Sequence, residues 1–242
     1  MTLRVQDFSS LAELFVQRAE ASPSQEALRY KRSGRWQRAT WSEYRKEVEW
    51  LARALHPWTQ SGESIALLSE SRPEWVYADN AILSLACVTV PIYPPLPLRD
   101  IAYILNEIET KIVIVSTLKQ LEKLLVLRGE GKVPNLQRIL CFEESVHCNG
   151  DNILSLKQLK QNAEQTSLEE LQERRATLDR DEIATIIYTS GTTGQPKGAV
   201  LTHGNLLSNL EGLQLFLAEA DVKEAQMLSF LPLSHAFERT LG

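Results

Sequence analysis

The apolar positions of this chain follow two alternating rhythms. One is helical. Leu11, Leu14, Phe15 and Ala19 recur on one face behind Ser9 and Ser10 and stop before Pro23. Tyr44, Val48, Leu51 and Leu55 recur behind Thr40-Trp41-Ser42-Glu43, which has the spacing of a capping box. The other rhythm is short and continuous: residues 65–68, 88–93, 112–115, 138–142 and 183–187 are apolar runs rich in β-branched side chains, as in strands buried on both faces.

Between those runs lie further helical stretches. Pro73 stands at a first helical position and opens residues 74–86, and 100–108 and 118–127 follow, the latter stopped by Gly129 and Gly131. Leu28-Arg29-Tyr30, the polar tip Lys31-Arg32-Ser33-Gly34 and Trp36 predict a hairpin. Residues 149–180 are polar, with Leu154, Leu156, Leu159, Leu168 and Leu171 as apolar positions, and read as a mostly helical surface excursion. Residues 206–217 are amphipathic, and 227–231 read as a strand ended by Pro232. Strands alternating with helices predict an α/β fold, a mainly parallel sheet flanked by helices. Ligand sites in such sheets lie beyond the carboxyl ends of the strands.

Composition narrows the class. With 242 residues, 43% apolar and 24% charged, the chain can bury a sizeable core as one large domain or two small ones. A net charge of −5 without a long basic run argues against nucleic acid as a partner. Arg4 and Asp7 precede any apolar run, so the start lacks the plan of a signal peptide, and residues 81–90 are too short to span a bilayer. Three cysteines, Cys87, Cys141 and Cys148, are an odd number without framework spacing, the usage of reduced thiols. A cytoplasmic protein is expected.

The stretch that carries the chemistry follows the run at 183–187: Tyr188-Thr189-Ser190-Gly191-Thr192-Thr193-Gly194-Gln195-Pro196-Lys197-Gly198. Glycines permit positive φ and close backbone approach, hydroxyls and amides supply donors, and Lys197 adds a mobile positive charge. Such a concavity suits a polyphosphate. The alternative is a flexible surface turn, the usual meaning of Gly/Ser/Thr clusters. Lys197 stands between Pro196 and Gly198, which excludes a Walker loop, and no G-x-G-x-x-G follows a strand, which excludes a dinucleotide fingerprint.

The segment Tyr-Thr-Ser-Gly-Thr-Thr-Gly-x-Pro-Lys-Gly resembles the phosphate-binding signature of the AMP-forming adenylating superfamily: acyl-CoA synthetases, luciferases and the adenylation domains of peptide synthetases. The likeness extends to Leu201-Thr202-His203-Gly204-Asn205-Leu206, Arg72-Pro73-Glu74-Trp75-Val76, Thr89-Val90-Pro91-Ile92-Tyr93-Pro94 and Leu231-Pro232-Leu233-Ser234-His235-Ala236-Phe237-Glu238-Arg239. The Phe-Glu-Arg ending is similar to the long-chain fatty acid–CoA ligase branch.

The resemblance implies a two-step reaction. A fatty acid carboxylate attacks the α-phosphate of ATP to give an acyl-adenylate and pyrophosphate, and coenzyme A displaces AMP to form a thioester. Acyl carrier protein is the acceptor in a sister activity, and a non-catalytic nucleotide-binding module is a third reading. Carried over by position, Thr189, Ser190, Gly191, Thr192, Thr193 and Gly194 would hold the β- and γ-phosphates and Lys197 would pair with them. Thr193 is the residue the resemblance places at a magnesium ion. His235 would position the reacting carboxylate, against the plainer reading of a hydrogen-bonded structural histidine.

Other candidates carry less. His203, near a helix start, reads as capping or packing, and His56 as a helix-end surface residue. Glu238 and Arg239 could pair in a substrate-facing network or as an ordinary solvated ion pair. Cys141, His147 and Cys148 make three potential metal ligands without a fourth. The five tryptophans, Trp36, Trp41, Trp50, Trp58 and Trp75, read as packing residues. The resemblance further implies that the chain is an incomplete N-terminal domain, 1–242, without the adenine, ribose and C-terminal lid portions, to which a partner chain would add if the protein is split. Exposed apolar surface and an unpaired sheet edge are then expected. A fatty substrate is compatible with peripheral membrane contact, although no basic amphipathic anchor stands out.

Overall fold

The structure, a computed structural model, describes residues 3–143, 152–162, 166–189, 194–220, 226–235 and 238–239. The chain opens with α1 (Leu11–Ala21), capped by the Ser10 hydroxyl, which accepts from the Glu13 amide. A hairpin follows, β1 (Glu26–Arg32) and β2 (Arg35–Thr40), turning on Ser33 and Gly34, both at positive φ (49° and 78°). Thr40 and Glu43 close the expected capping box and start α2 (Trp41–Leu55). Next come β3 (Ser64–Leu68), α3 (Pro73–Ser84), β4 (Val88–Ile92), α4 (Leu98–Glu107), β5 (Ile112–Val115), α5 (Leu118–Gly129) and β6 (Arg138–Cys141). After β7 (Ile153–Ser155), α6 (Leu156–Asn162) and α7 (Leu168–Arg175), the chain returns through β8 (Ile183–Thr189), β9 (Lys197–Thr202) and α8 (His203–Glu219).

Among the described residues seven strands form one sheet in the order β7-β6-β5-β3-β4-β8-β9, parallel except for β9, which runs antiparallel to β8. The expected α/β architecture is therefore present. Alternate residues of the central strands feed opposite layers. Ile65, Leu67, Ile112 and Ile114 pack against α2 and α3 through Leu51, Leu55, Trp75 and Ile82. Ala66, Leu68, Val113 and Val115 pack against α4 and α5 through Ile101, Ile104, Leu105, Leu121 and Leu124. Strands covered on both faces have no polar face to show, which is why their sequences run as unbroken apolar stretches.

The structure departs from the sequence reading in three places. The stretch expected to be a helical excursion at 149–180 also supplies β7, which pairs with β6 as the sheet's edge, and it buries Leu159 and Leu171 against the α2 side. Residues 227–231 are not a strand: no described strand pairs with them, and Leu228 and Phe230 are exposed. Strand propensity expresses fit to a pleated neighbour, and none is present there. Trp36 lies exposed on the hairpin, whereas Trp75 is buried and Trp41, Trp50 and Trp58 pack on the core. The unpacked apolar surface is real: Val200, Leu215, Phe216, Leu228 and Phe230 are each more than half exposed.

Candidate functional site

The chain passes from β3 to β4 and then back across β3 to β5, so the direction of winding reverses between β4 and β3. Segments leaving the carboxyl ends of β3 and β4 diverge there, to α3 on one face and α4 on the other, and leave a crevice. A cleft of about 900 Å³ occupies this position. Its walls are Ser69–Ser71 after β3, Tyr93–Leu98 after β4, Lys119–Val126 on α5, and residues 230–234. Ser71 holds the last wall in place: its hydroxyl accepts from the Leu233 amide at 3.2 Å and donates to the Leu231 carbonyl at 3.4 Å.

Polar groups gather on one side of the cleft. The Glu70 carboxylate accepts from the Ser116 hydroxyl and from Gln120 Nε2 at 2.9 Å. Burial alone would raise its carboxyl, but bonds from Ser116, its own backbone and Gln120, with the charge of Arg72, outweigh it and hold the group below the usual range. Lys123 donates to the Pro94 carbonyl, and burial, then the charge of Lys119, lowers its ammonium despite Glu70. None of these residues stood out in the sequence. The available signal was position: Ser69, Glu70 and Ser71 are the first polar residues past one buried strand, and Tyr93-Pro94-Pro95 follow another.

The hydroxyl-rich loop leaves the same end of the sheet, because β8 lies beside β4 and parallel to it. Thr185 reinforces the junction by donating to the Thr89 carbonyl at 2.7 Å. Thr189 ends β8 and Lys197 opens β9, and the two are cross-strand partners, so the structure brings the expected first hydroxyl and the expected cation face to face. Both are exposed. Gly194 adopts φ +87°, which an L side chain rarely tolerates. Ser190, Gly191, Thr192 and Thr193 lie outside the described residues. Lys197 is thus part of a strand, a placement the loop-like sequence around it conceals.

His235 is exposed at the rim of the cleft, its ring centroid 6.4 Å from that of Tyr93. It lies at the same end of the sheet as the loop. Arg239, expected to pair with Glu238, instead makes a buried bidentate ion pair with Asp79 of α3, at 2.8 and 2.5 Å. His203 is fully buried, and its Nδ1 accepts from the Leu11 amide at 3.2 Å. Burial, then the charge of Arg239, lowers its pKa to about 4 against the opposing pull of Asp79 and Asp179, so it is a neutral packing residue. Gly204 permits close approach beside it: a Cβ there would stand 2.8 Å from the Arg180 carbonyl oxygen.

Cys141 is buried at the end of β6, and its candidate metal partners His147 and Cys148 lie outside the described residues. Among the described residues no group of three His, Cys, Asp or Glu converges to hold a metal ion. Magnesium often keeps only one or two protein oxygens and takes the rest from phosphates and water, so the donor chemistry here accommodates it only as a companion of a nucleotide. Among the described residues no helix is long and apolar enough to cross a membrane.

An open, mainly parallel α/β sheet flanked by helices, with a crevice at the carboxyl ends of its strands, defines an α/β class of protein that offers a ligand site there. Residues 15–242 match the AMP-binding enzyme family, and the chain belongs to that family. It is 32% identical over 210 residues to long-chain-fatty-acid–CoA ligase FadD15 of Mycobacterium bovis, covering 86% of this chain and 34% of the relative. It is also 32% identical over 186 residues to long-chain-fatty-acid–CoA ligase 6 of Homo sapiens, covering 73% and 26%. Among solved structures, the N-terminal domain of FACL13 from Mycobacterium tuberculosis superposes with a TM-score of 0.71 at 21% identity, covering 97% of this chain and 54% of that one. The fatty acyl-adenylate ligase from L. pneumophila, in complex with acyl adenylate and pyrophosphate, gives 0.70 at 20%, covering 96% and 36%. These last two establish the shared fold. The chain spans about a third of the length of the curated relatives it matches.

Proposed function

We propose that this chain forms the phosphate-gripping part of an ATP-dependent, AMP-forming ligase that activates a long-chain fatty acid as its acyl-adenylate and transfers it to coenzyme A. The observation that carries this reading is the Thr189–Lys197 pair at the carboxyl edge of the sheet, inside the Tyr188–Gly198 signature and at the same end of the sheet as the switch-point cleft. Ligase relatives at 32% identity support the substrate class.

The chemistry asked of these residues is positioning and charge stabilisation. A carboxylate and a triphosphate repel, and pyrophosphate leaves as a polyanion. Lys197, a point charge on a flexible stem, would follow the β- and γ-phosphates as charge builds on the leaving group. Thr189, with Ser190, Thr192, Thr193 and the loop amides, would supply neutral donors. Magnesium, when bound with ATP, screens the phosphates, with Thr193 the loop hydroxyl proposed beside it. His235, at the cleft rim, would orient the acid. The cleft at the end of β3, β4 and β5 offers room for the second substrate beside the loop.

The test is ATP binding by the chain and its Lys197→Ala variant, with fatty-acid-dependent exchange of labelled pyrophosphate into ATP in a protein that joins this chain to a downstream portion like that of its relatives. Lys197→Ala should weaken ATP binding by about 1.5–3 kcal/mol, the worth of a charged hydrogen bond. Unchanged affinity removes Lys197 from the site, and absence of exchange with every acid from C8 to C18 refutes the fatty acid reading. Comparing coenzyme A with acyl carrier protein as acceptor separates the two ligase activities.

A further inference from the structure

Glu107 occupies the last position of α4, where a carboxylate meets the negative end of the helix dipole and a basic residue would be the stabilising choice. Two phenols offset that placement. Tyr103, one turn earlier on the same helix, donates its hydroxyl to Glu107 Oε1 at 3.3 Å. Tyr188 reaches in from the sheet and donates to Oε2 at 2.6 Å. Burial first, then the bond to Glu107 and its charge, raises the Tyr188 hydroxyl above its ordinary range and keeps it a donor.

The ring of Tyr188 has a second contact. Tyr188 and Gly198 are cross-strand partners, and a Cβ on Gly198 would come 3.1 Å from Tyr188 Cζ and 2.8 Å from Ile186 Cγ2. The ring therefore fills the space above Gly198. The adjacent pair in the ladder is Thr189–Lys197. Within the described sheet β9 is an edge strand, so its ladder with β8 alone sets its register. A slip of one residue would turn the Lys197 side chain to the opposite face.

We propose that Glu107, acting through Tyr188, is a positioning device that locks the β8–β9 register and thereby holds Lys197 opposite Thr189 at the mouth of the loop. The proposal rests on the reading that Lys197 meets nucleotide phosphates. Tyr188→Phe removes only the hydroxyl and keeps the ring over Gly198. Tyr103→Phe removes the other phenol from Glu107 without touching the sheet and serves as the control.

Two measurements on the full chain decide it, after circular dichroism has shown each variant folded. The first is hydrogen exchange at the β9 amides: Tyr188→Phe should raise it and Tyr103→Phe should not, and exchange unaltered by Tyr188→Phe overturns the proposal. The second is a double-variant cycle on ATP affinity. Tyr188→Phe should weaken ATP by about three- to tenfold, the worth of one hydrogen bond, whereas Tyr188→Phe/Lys197→Ala should bind no worse than Lys197→Ala alone. Losses that add in full mean that Tyr188 does not act through Lys197, and they overturn the proposal. A wild-type chain that does not bind ATP, or a Lys197→Ala variant that binds equally, counts against the nucleotide reading instead, and the exchange measurement still decides whether Tyr188 locks the β8–β9 register.

Discussion

Acid should unfold this domain in part through one buried histidine. His203 is fully buried, donates nothing to a described acceptor through Nε2, and lies in the field of Arg239, so its pKa falls from 6.5 to about 4. The folded state keeps the imidazole neutral while the unfolded chain protonates it below 6.5. The stabilisation is therefore fully present above pH 6.5, declines as pH falls, and is exhausted near pH 4, where the folded chain takes the proton too. Fully expressed, the separation between 6.5 and about 4 is worth about 3 kcal/mol, and at pH 5 about 2 kcal/mol of it is lost. The assay is urea unfolding at pH 7.5, 6.5, 5.5 and 5.0 for the wild type and His203→Gln. Carboxylates titrate in the same range and the half-buried His56 is lowered as well, so the difference between the two curves isolates His203. The variant starts less stable, having altered the acceptor for the Leu11 amide, but its curve should be flatter by about 2 kcal/mol over this range. Parallel curves, or an NMR midpoint for His203 near 6.5 in the folded chain, refute the reasoning.

Three further outcomes follow from the geometry. Asp79→Ala strands the buried Arg239 guanidinium and should cost about 3–5 kcal/mol, whereas Asp79→Leu/Arg239→Met, which removes both charges, should cost far less, as urea midpoints would show. Gly204→Ala forces a methyl against the Arg180 carbonyl and should cost about 1–3 kcal/mol in the same assay, and an unchanged midpoint would contradict the contact. Trp36→Ser, at 67% exposure, should change stability by no more than about 0.5 kcal/mol, a result that separates it from the packed tryptophans.

Much of the scaffold was legible without coordinates because its determinants are local. Buried parallel strands carry apolar residues on both faces, so β3, β4, β5, β6 and β8 announce themselves as continuous runs. Ser10, Thr40 and Pro73 mark helix starts by hydrogen-bond and φ requirements that act within three residues. The Tyr188–Gly198 signature is equally local, and the family match agrees with the resemblance drawn from it. Residues 227–231 were misread for the opposite reason: their apolar character is real, but a strand exists only where another strand accepts its hydrogen bonds.

By itself, then, the sequence determined the alternation of elements, the parallel character of the sheet and the position of the loop in the chain. Only tertiary structure decided the strand order β7-β6-β5-β3-β4-β8-β9, and with it which strand ends open into the cleft. It also decided the long-range partnerships, Arg239 with Asp79 rather than Glu238 and Tyr188 with Glu107. The physical reason is one of range. Capping, periodicity and glycine conformation are settled among neighbours in sequence, whereas pairing a buried charge or bracing a strand against a helix depends on residues 80 or more positions away, as with Tyr188 and Glu107, 81 apart, and Arg239 and Asp79, 160 apart.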